Sequence, residues 1–186
     1  MPPKVKITKE EILNAAIDIV RIGGMQTVNA RSIATVLKCS TQPIFSNFAT
    51  MEDLHLALLQ KADAICREYL QREIESGKYP VYKANGMAYI RFAKEEKELF
   101  KLLYMYDRAG APILENTDLF STMADLVQSN TGLAGPMANL FHLEMWVYVH
   151  GIATMFATSY LDLDWELVEK MLTDSYQGLR KHYGME

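Results

Sequence analysis

His142-Leu143-Glu144 and, eight residues after the first imidazole, His150 supply the side chains that proton transfer or metal binding would need: two groups that titrate near neutral pH and a carboxylate close to one of them. Trp146 stands midway. On a helix the three aromatic rings share a face, yet eight residues separate the imidazoles by about 12 Å along the axis, too far to hold one metal ion. His-Leu-Glu has no downstream cysteine pair of the kind that zinc deaminases use. The chain also lacks HExxH, the phosphate-cradling GxxxxGK[ST] and the GxSxG elbow. A small all-α enzyme using His150 and Glu144 therefore stands as an alternative; the expectation is no catalytic residue, no metal and no cofactor. His150 reads as a hydrogen-bonded residue of a core or an interface, and the Lys94 to Glu98 run, KEEKE, as a solvated face.

A second stretch offers recognition chemistry. Ser40-Thr41-Gln42-Pro43-Ile44-Phe45-Ser46-Asn47-Phe48 mixes a proline and two large aromatics with small polar residues. Pro43 would break a helix interior but fits a first turn, where the N–H groups have no intrahelical partner; Ser40 is placed to cap that turn. Ile44 and Phe48, four apart, take the inner face, leaving Thr41, Gln42, Pro43, Phe45 and Asn47 outside. Such a surface suits a DNA major groove about 12 Å wide: Gln bonds adenine in bidentate fashion, hydroxyls donate or accept, and an apolar ring can rest on a thymine methyl. Arg31 could reach a guanine or a phosphate, and the caps Asn29, Ser40 and Thr50 sit where helix starts hold phosphates.

The elements that must position these groups are all helical. Thr8 and Glu11 form a capping box ahead of Ile12, Ala15, Ala16, Ile19 and Val20, and Gly23-Gly24 closes that helix. Asn29 caps a second helix carrying Ile33, Ala34 and Leu37; the STQPIFSNF helix is third; Thr50 with Asp53 starts a fourth that runs to Ser76-Gly77. Further helices are expected near 83–95, 97–107, 117–129, 136–161 and 164–182, with breaks at Lys78-Tyr79-Pro80, Gly110-Ala111-Pro112 and Gly132 to Pro136. No run alternates as a strand would. The fold class is all-α, with a helix-turn-helix domain over 1–50 and a body over 51–186 whose residues 51–75 form a connecting helix.

With 49% hydrophobic and 23% charged residues, the 186-residue chain has the composition of a globular protein. The apolar stretch without a formal charge from Met145 to Leu161 carries Tyr148, His150, Thr154 and Thr158 and reads as a buried helix, not a membrane span. Cys39 and Cys66 belong to no paired motif and nothing at the N-terminus is ordered like a signal peptide, so the expected location is the cytoplasm. Net charge is −4, but residues 1–50 carry six Lys/Arg against three acids while the remainder carries 13 against 20. A basic head on an acidic body is the footprint of a protein whose head alone meets a polyanion.

The stretch ILNAAIDIVRIGGMQTVNARSIATVLKCSTQPIFSNFATMEDL resembles the DNA-binding domain of TetR-type transcriptional regulators, through Ala15-Ala16, Gly24, Ile33-Ala34, Ser40, the aromatic at 45, Phe48, Asp53 and Leu54. Three positions depart from the family pattern: Phe45 replaces the usual Tyr, Asn47 a His or Tyr, and Met51 a Lys. The family's Tyr and Lys commonly hold backbone phosphates, so the resemblance implies a weaker or less salt-dependent grip on DNA here.

GMAYIRFAKEEKELFKLLY and EMWVYVHGIA are similar to the TetR-type regulatory domain named for its Trp, His and Gly (WHG), here Trp146, His150 and Gly151. That resemblance implies a homodimer through the helices near 136–161 and 164–182, bound to double-stranded operator DNA as a repressor and released by a small, largely apolar effector. Tyr89, Phe92, Tyr104, Tyr106, Met123, Phe141, Trp146 and His150 are the expected lining of the effector site. A helix-turn-helix regulator controlled by a protein partner remains a further alternative.

Overall fold

A computed structural model describes residues 7–105 and 117–185. Among these residues there are nine α-helices and no strand: α1 Lys9–Gly23, α2 Ala30–Val36, α3 Gln42–Asn47, α4 Met51–Glu75, α5 Val81–Glu95, α6 Lys97–Tyr104, α7 Thr117–Thr131, α8 Pro136–Ala157 and α9 Trp165–His182. A 3-10 turn at Met25–Thr27, not anticipated from the sequence, links α1 to α2. The expected break at Gly110-Ala111-Pro112 lies outside the described residues.

Local chemistry sets the helix starts. At α1 the Thr8 hydroxyl accepts from the Glu11 N–H at 3.2 Å and the Glu11 carboxylate accepts from the Thr8 N–H at 2.7 Å, which also holds the Glu11 carboxyl below its ordinary range. Asn29 Oδ1 accepts from the N–H groups of Arg31 and Ser32, both at 3.0 Å. Thr50 and Asp53 repeat the reciprocal arrangement at α4. Gly24 leaves α1 at φ 76°, a conformation in which glycine has no Cβ to clash.

The start of α3 differs from expectation. The cap residue is Thr41, not Ser40, and no side chain serves it. Pro43 occupies the second helical position, so the N–H that a capping oxygen would often receive does not exist. The next one, on Ile44, is already taken by the Thr41 carbonyl at 3.1 Å. Helix α8 is likewise shorter than the expected 136–161. It ends at Ala157 because Ser159 turns left-handed at φ 58° and the N–H groups of Ser159 and Tyr160 reach back to the carbonyls of Phe156 and Met155, both at 3.0 Å.

Packing divides the chain into two compact units. The first runs up to Arg67 and also takes in the segment from Glu96 that carries α6; the second holds Glu68–Glu95 and the helices from α7 onward. Ile12, Ala16, Val20, Ile33, Ile44, Leu54 and Leu58 are buried in the first unit. There the Arg21 guanidinium grips the Glu96 carboxylate at 2.6 and 2.9 Å, which raises the Arg21 pKa and fixes α6 to the end of α1.

In the second unit α5 and α8 share the largest packing surface, built on Met87, Ile90, Phe92, Phe141, Met145, Ile152 and Phe156, with Val168 and Leu172 from α9. A Cβ on Gly86 of α5 would meet Val149 at 3.4 Å and Leu172 at 3.6 Å, ordinary van der Waals contacts, so Gly86 faces α8 and α9.

Candidate functional site

In the first unit α3 is held by Ile44, fully buried, and by Phe48 at its end, over whose ring the Lys9 ammonium lies 5.0 Å from the centroid. The opposite face is open. The Phe45 ring is 49% exposed, Gln42 is exposed, and Thr41 and Pro43 are half-buried. Arg31 and Ser40 are exposed as well.

Three other members of the expected DNA-contacting set, the exposed Asn29 and Thr50 and the half-buried Asn47, make hydrogen bonds within the unit. Asn47 Nδ2 donates to the carbonyls of Pro43 at 2.8 Å and Ile7 at 3.3 Å. Asn29 caps α2, with its Nδ2 donating to the Thr27 carbonyl at 3.3 Å. The Thr50 hydroxyl accepts from the Asp53 N–H at 3.1 Å. Ser46, outside that set, donates to the Gln42 carbonyl at 2.9 Å.

Two of the six cations of residues 1–50, Lys9 and Lys38, were outside the expected DNA-contacting set and lie near α3. Lys9 lines an open cleft of about 310 Å³ with Asn47, Phe48, Asp53, Leu56 and Gln60. Lys38 is exposed in the turn before α3, in the left-handed conformation at φ 52°. The short connection from α2 to α3 was the available signal for Lys38, since a tight turn often needs one left-handed residue. For Lys9 no local pattern exists, because its partner Phe48 is 39 residues away.

In the second unit the imidazoles of α8 meet phenols of α5. Tyr82 Oη lies 3.1 Å from His142 Nδ1, and Tyr89 Oη lies 2.9 Å from His150 Nδ1. The Trp146 and His150 rings stack at 4.9 Å with 15° between planes. Burial lowers the pKa of both histidines and raises that of Tyr82, so these pairs are neutral hydrogen bonds. The Glu144 carboxylate accepts from Tyr183 Oη at 2.9 Å, while the hydrogen bonds at the imidazole Nδ1 atoms run to Tyr82 and Tyr89.

The expected effector lining is only partly gathered. Phe92 is fully buried against the edge of Tyr69, 5.4 Å between centroids, and Phe141 against Tyr176 at 5.5 Å and Tyr183 at 5.7 Å. Met123 is buried in the same unit, with Tyr89, Trp146 and His150 half-buried. Tyr104 falls in the first unit, where its ring packs on Phe100 and its hydroxyl lies 3.5 Å from Cys66 Sγ. Burial pushes the Cys66 thiol up to about 11, which keeps it protonated and unreactive. Tyr106 lies outside the described residues.

Residues 82–175, just over half of the chain, match the model of a tetracyclin repressor-like C-terminal domain. The chain belongs to the TetR family of transcriptional regulators. The matched range contains both tyrosine–histidine pairs. Three solved structures are similar in fold: a Rhodococcus sp. RHA1 protein of unknown function, at 20% identity and TM-score 0.73, covering 98% of each chain; a TetR-like transcriptional regulator from the same organism, at 18% and 0.69, covering 96% of this chain and 98% of that one; and a TetR family protein from Vibrio parahaemolyticus, at 16% and 0.66, covering 91% and 97%. No curated protein matches the chain. TetR members are regulators and not enzymes. Among the described residues no helix is long and apolar enough to cross a membrane, and no group of three or more His, Cys, Asp or Glu could hold a metal ion.

Proposed function

We propose that this TetR-type chain is a homodimeric, cytoplasmic repressor that reads a palindromic operator with α3 and releases it when a small, largely apolar molecule enters the second unit. The observation that carries DNA reading is the two-sided character of α3: Ile44 and Phe48 are buried, while Gln42 and the Phe45 ring are exposed. Thr41, Pro43, Ser40 and Arg31 complete the face offered to the groove, with Arg31 and the nearby Lys38 and Lys9 as phosphate partners.

Dimerisation is supported by α8 and α9. Met137, Leu140, Leu143, Val147 and Met155 of α8 and Leu167 of α9 are exposed, an apolar area that water disfavours. Gly151 of α8 and Gly178 of α9 lie inside their helices, yet a Cβ on either would meet nothing within 4 Å. A helix-interior glycine costs about 1 kcal/mol relative to alanine. Close approach of a second copy gives that cost a purpose.

The effector is proposed to contact Tyr89, Trp146 and His150, whose half-buried rings offer both apolar area and hydrogen bonds, with Met123, Phe92 and Phe141 behind them and Tyr106 as a further candidate. Occupancy would alter the tilt of α4 and so the spacing of two heads that must lie about 34–36 Å apart to enter successive major grooves.

Selection of bound duplexes from a random pool tests the reading, combined with light scattering on the free protein. An inverted repeat and a mass of two chains are expected. An unenriched pool would remove the DNA function, and a monomer at micromolar concentration would remove the dimer.

A further inference from the structure

The hydrogen-bonding capacity left on α3 is small, and this limits what the helix can read. Ser46 and Asn47 spend their donors on the carbonyls of Gln42, Pro43 and Ile7. What remains outward is the Gln42 amide, the Thr41 hydroxyl and the apolar ring of Phe45, which is half exposed and makes no ring contact with any described residue. A phenyl group with half of its surface in water, on the face opposite Ile44, is the feature that an outside partner would cover.

Resting on the proposed DNA reading, we propose that Phe45 is a specificity-determining residue that recognises the 5-methyl group of a thymine in each half-site, beside an adenine read by Gln42. Thymine is the one base that presents an apolar group in the major groove. Adenine is the base whose N6 and N7 match an amide in bidentate fashion. Gln42 and Phe45 are three residues apart, about 4.5 Å along the helix, comparable to one step of about 3.4 Å between base pairs. The two readings therefore fall on neighbouring base pairs. Phenylalanine also lacks the hydroxyl of a tyrosine, so the ring discriminates by the methyl alone and leaves the phosphate beyond it uncontacted.

The test starts from a duplex selected out of a random pool and replaces each thymine of a half-site by uracil, which removes the methyl and nothing else. Binding is followed by fluorescence anisotropy. At one thymine per half-site the wild type is expected to lose about fourfold in affinity, the worth of one buried methyl group. Phe45→Ala is expected to bind more weakly overall and to ignore that replacement, whereas Phe45→Tyr, which keeps the ring, retains the sensitivity. Should Phe45→Ala bind too weakly to titrate, Phe45→Leu takes its place, with a reduced response expected. An equal response to uracil in wild type and variant, or no response at any thymine, overturns the role of Phe45 while leaving DNA reading intact. A pool that yields no enriched duplex overturns the DNA reading itself and this inference with it.

Discussion

Asn47 Nδ2 donates to the carbonyl of Pro43 at 2.8 Å, closing a loop within α3, and reaches on to Ile7 at 3.3 Å, tying α3 to the chain ahead of α1. Within the fold, Asn47 is thus a brace between α3 and the chain ahead of α1. Asn47→Ala removes both bonds and is expected to cost about 1 kcal/mol, a net value typical of such bonds. Thermal denaturation would read this as a drop of about 2–4 °C, with base preference in selected duplexes unchanged. A shifted base preference at full stability would return Asn47 to the groove.

The family pattern implies two phosphate contacts that Phe45 and Met51 would lack, and substitution can supply them. Met51 is the first residue of α4 and only half-buried, so a lysine there can reach solvent. Met51→Lys is expected to tighten DNA binding and to steepen the salt slope by about one unit, as one more neutralised phosphate would. Phe45→Tyr is expected to tighten binding as well. Titrations over a salt series check both, and an unchanged affinity and slope would contradict the account of these positions.

The tyrosine–histidine pairs give stability a pH dependence with a defined sign. Burial depresses the folded-state pKa of His142 and His150 below the ordinary 6.5, so the unfolded chain takes up protons first as pH falls. Stability is level above pH 6.5, declines below it, and levels again once the folded imidazoles charge. Melting temperatures from pH 8 to 5 should show this, and His150→Gln should flatten part of the slope. Hydrogen bonds from Thr8 and from Lys78 and Tyr79 hold the Glu11 and Glu169 carboxyls below their ordinary 4.5, so their contribution is lost only at more acidic pH than the start of this decline.

The α8 surface is expected to fail as an interface when charged. Val147, 57% exposed, can become glutamate without disturbing its own chain. Val147→Glu should raise the dimer dissociation constant at least about tenfold, the effect of 1.4 kcal/mol. Gly151→Ala should stabilise the isolated helix yet weaken the dimer, because its Cβ meets nothing in the chain itself. Light scattering over a dilution series separates these outcomes; mass unchanged in both variants would place the interface elsewhere.

Helix order was legible in the sequence because caps and periodicity are local. Thr8 with Glu11, Asn29 with Ser32 and Thr50 with Asp53 are each three residues apart, and each marks a helix start in the structure. Where the reading missed, a competing local interaction decided. Pro43 removed the donor that Ser40 would have capped, and Ser159 adopted a left-handed turn that ended α8 before its apolar sequence did.

The candidate site was less legible, because exposure and hydrogen-bond commitments depend on partners far along the chain. Ile7 is 40 residues from Asn47, Tyr82 is 60 from His142, and Tyr183 is 39 from Glu144. Aromatic residues alone could not separate Phe92 and Phe141, sealed in aromatic clusters, from Trp146 and His150, which keep part of their surface open.

Amide hydrogen exchange on the protein with and without a selected duplex tests most directly that α3 is the face that reads DNA. The account predicts slowed exchange across α3 and the start of α2, with the outward residues Thr41, Gln42 and Phe45 among the protected amides. A stable complex in which α3 exchanges as fast as in the free protein, with protection confined to α8 and α9, would contradict it.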